Sequence, residues 1–398
     1  MKKVNLPDIL DESYKPGVKK KILTLSDHPL SPSGVGTQTK YVIEALLETG
    51  RYQVVSLGGA IKHNSYEPTR VSPHENDWII YPVDNYGTHD IVRSIMRTEK
   101  PDMLWFMTDP RFYGWLWEIE NEIRANIPMV YYHVWDNYPP PMYNRPFYLS
   151  NDAIVSISKV THDIVSKVSP EVENIYLPHA VDSNIFRKID SSDIKEFAIE
   201  HFGDNYDPDR VVFFWNNRNA RRKQSGSLIW WFNEFAKEVG PEKVQLVVHT
   251  DPKDQHGQDL EVIIHDLKAD DGRIILSTQK VPPEVLSMLY NLADCTINIS
   301  DAEGFGLSTL ESLACGTPII SSNSSALPEI VQDFGQLYEP GNSDALKDCI
   351  ENFYLNRSAF NDLAKKGSLY ANETFNWEKI ALDYEEQFLE TIEKFNSC

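Results

Sequence analysis

The 398-residue chain exceeds what one hydrophobic core usually serves, and at roughly 150 residues per domain two domains are expected. Its 41% hydrophobic and 24% charged residues are those of an ordinary globular protein and exclude wholesale disorder. The 59 acidic against 38 basic residues, a formal charge of −21, oppose non-specific attraction to nucleic acid or anionic lipid.

The start, Met1-Lys2-Lys3, looks like the positive region of a secretion signal. Pro7, Asp8, Asp11 and Glu12 interrupt it before any apolar stretch forms, so a cytoplasmic location is expected. The first clear unit is KKKILTLSDHPLSPSGVGTQTKYVIEALLETGRYQVVSLG. Residues 22–25 read as a buried strand, 29–36 as a glycine-containing loop, 37–49 as a helix closed by Gly50, and 52–57 as the next strand, which makes a βαβ unit. Gly34 and Gly36 sit in the loop, but their GxG lacks the third glycine of the dinucleotide fingerprint, where Thr39 stands. The loop reads either as a close approach to a phosphate or an acceptor, or as an ordinary turn.

Short apolar runs recur at DWIIYPV, DMLWFMTD, PMVYYHVWD and DAIVSIS, each followed by a polar or helical segment, as in a parallel sheet covered by helices. In YYHVWDNYPPP, His133 and Asp136 end one of these strands. Either is placed to hydrogen-bond a sugar hydroxyl or move a proton, or to be satisfied within its own turn. The apolar stretch 129–135 falls far short of the roughly 20 residues that span a bilayer, so no integral membrane segment is expected.

After a polar stretch from 187 to 210 the rhythm restarts at DRVVFFWNN and continues through VQLVVHTD, GRIILST, DCTINIS and TPIISSN. Helical segments at 227–239, 283–293 and 307–315 separate these strands. The expected fold is α/β, with two Rossmann-like, doubly wound domains facing across a cleft. Their boundaries are placed at 1–185 and 186–375, with the linker near 182–188. Residues 376–398 form an amphipathic helix: Trp377, Ile380, Ala381, Tyr384, Phe388, Ile392 and Phe395 recur at three- or four-residue spacing, with Asn376 as N-cap. Ligands of open α/β sheets sit at the carboxyl ends of the strands.

The densest chemistry is in DAEGFGLSTLESLACGTP. A strand ends near Ser300, the Gly304 to Gly306 bend lets backbone approach a ligand, and a helix begins around Leu307 whose first amides form an anion site. Glu303 in the bend and Glu311 in the second turn can flank one ligand, such as a ribose beside a diphosphate. The plainer alternative is a tight turn with an acid favouring the helix dipole. In FFWNNRNARRKQ, Arg218 and Lys223 follow a strand directly and can neutralise a diphosphate, whereas Arg221 and Arg222 read as solvated. Cys295, Cys315, Cys349 and Cys398 form no CxxC pair, and HExxH, Walker A and GxSxG are absent. Neither a metal nor a cofactor is expected.

Glu303-Gly-Phe-Gly-Leu through Glu311, followed by LACGTPII and Glu329, resembles the EGFG…E signature of the retaining nucleotide-sugar glycosyltransferases of family 4, which have the GT-B fold. NNRNARRKQ is similar to that family's Arg and Lys pair, LYNLADCTINIS to the segment before the signature, and IVSISKVTHDIV and LPHAVDSNIF to its hinge-side motifs. FNWEKIALDYEEQF is similar to a final helix that crosses back to the first domain. Three departures stand out: His179-Ala180 occupies the usual Asn-Gly, Gln224 occupies the glycine after the lysine, and the region around His133 matches the family's histidine-bearing loop only loosely.

The resemblance implies metal-independent, same-face transfer from a nucleoside diphosphate sugar. Glu311 would bind the donor ribose and Glu303 the sugar hydroxyls, while the backbone of Gly304, Phe305, Gly306 and Leu307 would meet sugar and phosphates. Arg218 and Lys223 would stabilise the leaving diphosphate, with Gly34 and Gly36 closing over the donor. Glu303, His133 and Asp136 are the candidate catalytic groups. The acceptor stays open among a glycan, a lipid-linked sugar, a small molecule, a protein and a modified nucleic-acid base, the last disfavoured by charge. Competing readings are a sugar-nucleotide epimerase or glycoside phosphorylase on the same scaffold, and a non-catalytic sugar-nucleotide binding subunit.

Overall fold

The computed structural model describes residues 18–203 and 206–397. The readings made at Met1 to Glu12 and at Cys398 lie outside these described residues. The chain divides into two compact units, one comprising the residues up to Ala180 together with Trp377 onward, the other Val181–Asn376.

The first unit is built on eight strands: β1 (Lys20–Asp27), β2 (Tyr52–Gly59), β3 (Thr69–Arg70), β4 (Trp78–Pro82), β5 (Met103–Met107), β6 (Met129–His133), β7 (Ala153–Ser156) and β8 (Glu173–Tyr176). They lie in the order β3-β4-β2-β1-β5-β6-β7-β8, parallel throughout except for the β3–β4 pair. Helices cover both faces, so the strands are near-continuous apolar runs; every residue of β5 and β6 is buried. Alternate positions go to opposite faces. Leu104, Phe106, Met129 and Tyr131 join one core with Leu23, Leu25, Ile154 and Ile164, while Trp105 and Tyr132 stack on the other face with centroids 6.0 Å apart.

The helix Trp377–Ser397 belongs to this second face. Tyr384 meets Trp105 and Tyr132 edge-on at 6.1 and 5.6 Å, and Phe388 lies 5.8 Å from Trp105. Trp377 packs against Tyr41 of the helix Gly34–Glu48 at 5.3 Å. Glu385, 1% exposed along its side chain, accepts from Arg51 Nε at 2.8 Å, and Lys394 reaches Glu173 at 2.6 Å.

The second unit is a fully parallel six-stranded sheet in the order β11-β10-β9-β12-β13-β14. Its strands are β9 (Val211–Asn216), β10 (Val244–His249), β11 (Ile274–Ser277), β12 (Cys295–Asn298), β13 (Ile319–Ser322) and β14 (Gln336–Tyr338). Phe213, Trp215, Leu246, Val248 and Ile297 pack beneath Phe232, Phe235, Ile350 and Phe353 of the helices Ser225–Val239 and Ser343–Thr374. From β9 the chain winds outward through β10 and β11, then returns to lay β12 on the opposite edge of β9. The point where strand order reverses is therefore between β9 and β12, where ligands of open α/β sheets sit.

Candidate active site

Three loops of the second unit meet at that reversal: 217–224 after β9, 250–259 after β10 and 299–306 after β12. The first and last are joined by backbone, Asp301 N donating to Arg222 O at 2.8 Å. Gln224, where the resemblance calls for glycine, sits in the left-handed region at φ 57°, ψ 29°. That conformation costs a side-chain-bearing residue about 1 kcal/mol. Two hydrogen bonds offset it, from Gln224 Nε2 to Asp301 Oδ2 at 2.8 Å and from Ser227 Oγ to Gln224 Oε1 at 2.9 Å. The first of them ties loop to loop, which a glycine could not do.

Glu303 is the centre of the cluster. Its side chain is 7% exposed and takes the Lys223 ammonium and, at 2.8 Å, Ser300 Oγ on Oε1, with Arg222 Nη1 at 3.2 Å on Oε2. Burial works to raise its pKa, yet the charges of Lys223 and Arg222 prevail and hold the carboxyl below its ordinary range. Arg222 also donates to the carbonyl of Ala302. Its pairing adds to the reading of Arg222 as solvated: a short 3₁₀ turn, Arg221–Lys223, leaves both arginines exposed but turns Arg222, with the buried Lys223, onto Glu303.

The backbone after Glu303 passes through Gly304 and Phe305 to Gly306, which adopts φ 102°. Phe305 is anchored in the fold, its ring 5.6 Å from that of Phe375. The helix Leu307–Ala314 then starts without a side-chain cap, so its first amides and its dipole are offered to an anion. Glu311, partly buried in the second turn of that helix, accepts from Tyr290 OH at 2.8 Å, and Asn216 Nδ2 donates to the same hydroxyl at 2.9 Å. Burial, opposed by the Tyr290 hydrogen bond, pushes Glu311 up to about 7. Sequence reasoning found Glu303, Glu311 and Lys223 but missed Ser300, Tyr290 and Asn216. The tyrosine was visible in LYNLADCTINIS, since it falls on the helix Pro283–Leu292 that precedes β12.

Arg218 does not reach Glu303's carboxylate. It is ion-paired with Asp254 of the second loop, Nε to Oδ2 at 2.6 Å and Nη2 to Oδ1 at 3.2 Å, and its own side chain is 60% exposed.

In the first unit, Gly34 and Gly36 lie in the first turn of the helix Gly34–Glu48 rather than in the loop before it. Ser33 is the N-cap, its hydroxyl accepting from Gly36 N at 3.0 Å and donating to Asp27 Oδ2 at 2.6 Å. A Cβ on Gly36 would lie 2.7 Å from His28 O, so the glycine there serves close packing of the preceding loop. Asp27 ends β1 and takes Tyr86 OH on its other oxygen at 2.9 Å, a pairing across 59 positions with no local signal.

His133 is placed differently from expectation. Its ring is fully buried and bonded on both nitrogens, Nδ1 to Tyr131 OH at 3.0 Å and Nε2 to Tyr148 OH at 2.6 Å. Tyr131 spends its own proton on Thr108 O, which fixes the proton of His133 on Nδ1 and makes Nε2 the acceptor. Burial drives its pKa to about 3. This arrangement gives neither nitrogen to a ligand, because the two tyrosines saturate the ring inside the core. Asp136 stands beyond the strand end, partly buried.

Among the described residues, no group of three His, Cys, Asp or Glu is arranged to hold a metal ion, and no helix is long and apolar enough to cross a membrane.

Residues 242–369 match the family described as Glycosyl transferases group 1. The chain is 24% identical over 242 residues to an N-acetyl-alpha-D-glucosaminyl L-malate synthase of Bacillus anthracis, an alignment covering 60% of this chain and 58% of that one. It thus spans little more than half of that relative. Among solved structures, sucrose-phosphate synthase from Thermosynechococcus elongatus superposes with a TM-score of 0.77 at 18% identity, over 94% of this chain and 99% of that one. HepE of Anabaena, solved in complex with UDP and glucose, gives 0.73 at 16%, over 93% and 99%. In fold the chain is GT-B, and its residues 242–369 are similar to the glycosyl transferases group 1 family.

Proposed function

We propose that this chain is a retaining, metal-independent glycosyltransferase that moves a sugar from a nucleoside diphosphate sugar to a hydroxyl acceptor. One observation carries the reading: Glu303, clamped by Lys223 and Arg222, sits directly before the uncapped helix Leu307–Ala314 at the point where strand order reverses. Breaking the bond from the anomeric carbon to phosphate leaves negative charge on the diphosphate. Fixed cations and a helix amino terminus are suited to stabilise it without a metal.

In this reading Lys223, Arg222, Arg218 and the amides at the helix start receive the diphosphate. Glu303, kept ionised by its cations, accepts hydrogen bonds from sugar hydroxyls, and Glu311 accepts from the ribose. The bond from anomeric carbon to phosphate oxygen breaks with its electron pair leaving on the nucleoside diphosphate. The acceptor oxygen attacks from the same face, and its proton passes to the leaving phosphate oxygen. His133 takes no part, since its ring is closed off by Tyr131 and Tyr148. The solved complex of HepE with UDP and glucose makes UDP the first nucleotide to try.

A screen of nucleoside diphosphate sugars, reading release of nucleoside diphosphate with and without acceptors, tests the reading. Release that survives a chelator and falls at least 100-fold in Lys223→Ala is the expected result. Sugar phosphate formed instead from a glycoside and inorganic phosphate would make the chain a phosphorylase and end this assignment.

A further inference from the structure

Loop 250–259, after β10, supplies no residue to the cluster around Glu303, yet it is locked onto loop 217–224 more closely than either needs for its own turn. Asn219 is fully buried between them, donating through Nδ2 to Gln258 O at 2.7 Å and to Pro252 O at 3.3 Å. Its Oδ1 accepts from Ser225 Oγ at 2.7 Å. Arg221 N donates to His256 O at 3.0 Å, and Gly226 N to Gln258 Oε1 at 3.2 Å. A Cβ on Gly257 would stand 2.2 Å from Asn219 Oδ1, so the two loops touch backbone to side chain with no room to slide.

Asp254 is held in the middle of this interlock. Its Oδ1 accepts from His256 N at 2.9 Å, its carbonyl from Gly257 N at 2.9 Å, and its side chain is 13% exposed where that of Arg218 is 60% exposed. The seated partner of the pair is the acid, and the arginine leans outward from it. A surface pair of this kind stabilises a fold little. A carboxylate beside a diphosphate site also repels the ligand. A rigidly seated Asp254 is therefore costly unless it governs where the guanidinium goes.

We infer that Asp254 is a positioning residue for the donor diphosphate: it grips Arg218 through Nε and Nη2 and leaves Nη1 as the edge that meets phosphate. A planar fork held on one side is pre-organised on the other, so less side-chain entropy is lost when the ligand arrives. The inference rests on the reading that a nucleoside diphosphate binds in this unit.

The charge supplies the discriminating sign. Asp254→Asn removes a negative charge while keeping an oxygen for His256 N. If Asp254 merely repels the ligand or holds Arg218 away from it, the variant binds diphosphate more tightly; if it aims Arg218, the variant binds more weakly. Calorimetric titrations with UDP and with GDP on the full chain, for wild type, Asp254→Asn, Arg218→Ala and the double variant, decide between them. The expected outcome is about tenfold weaker binding in Asp254→Asn, with the effect vanishing in the Arg218→Ala background. Tighter or equal binding in Asp254→Asn overturns the inference, as does an equal loss in both backgrounds, and either result leaves the proposed function standing. Wild-type protein that binds neither of these, nor ADP, CDP or dTDP, removes both.

Discussion

Two carboxylates eight positions apart, Glu303 and Glu311, are driven in opposite directions by their neighbours. Glu303 has two cations and stays ionised. Glu311 has a tyrosine hydroxyl and, among the described residues, no paired cation, so burial prevails and its pKa rises to about 7. An unfolded glutamate titrates near 4.3. The folded state therefore binds this proton more tightly, and the stability it adds is complete below about pH 4.3 and lost as pH rises through 7. Glu311→Gln, which cannot ionise, should gain on the wild type by roughly 1 to 3 kcal/mol between pH 5 and 8, read from melting temperature against pH. Parallel melting curves across that range would show that Glu311 keeps an ordinary pKa. At this scale the sequence revealed the acids and Lys223, because each lies within a few residues of a glycine bend or a strand end. It hid the partners of Arg222 and His133, which come from 81 positions away in the first case and include a fully buried tyrosine on another element in the second.

At the scale of elements, the bend before the helix Leu307–Ala314 depends on Gly306. Its φ of 102° strains any side-chain-bearing residue, and a Cβ there would lie 2.8 Å from Leu327 Cδ2. Gly306→Ala should cost about 2 kcal/mol and lower the melting temperature by several degrees. Nucleotide affinity should fall with it, because the first amides of the helix move. Calorimetry with UDP before and after the substitution measures the second effect, and unchanged affinity would detach the helix start from the ligand. Strands and helices were largely legible, since buried parallel strands read as apolar runs between breakers. The start of the first helix was not: the two glycines suggested a loop, whereas the Ser33 cap draws Gly34 and Gly36 into the helix.

Across the whole molecule, the first unit is discontinuous in sequence, completed by the helix Trp377–Ser397. Glu385 on that helix is buried against Arg51, and burial first, then the nearby Glu385 carboxylate, raise the pKa of Tyr52. Arg51→Ala strips the charge partner from a buried acid and should destabilise the first unit by about 3 kcal/mol. Scanning calorimetry measures it, and an unshifted transition would mean that water replaces the arginine. The amphipathic spacing of this helix was plain in the sequence, and its return to the first domain was implied by the family resemblance rather than by the pattern, which says only that one stripe must be buried; the face it covers was in neither.

That completion has a temporal side. During synthesis the aromatic floor of Trp105 and Tyr132 emerges early, but the side chains that roof it, Tyr384 and Phe388, cannot exist until all of 181–376 has been translated. At about 5 to 20 residues per second the wait is roughly 10 to 40 s. Throughout that interval the nascent protein displays an oily surface to everything near the ribosome.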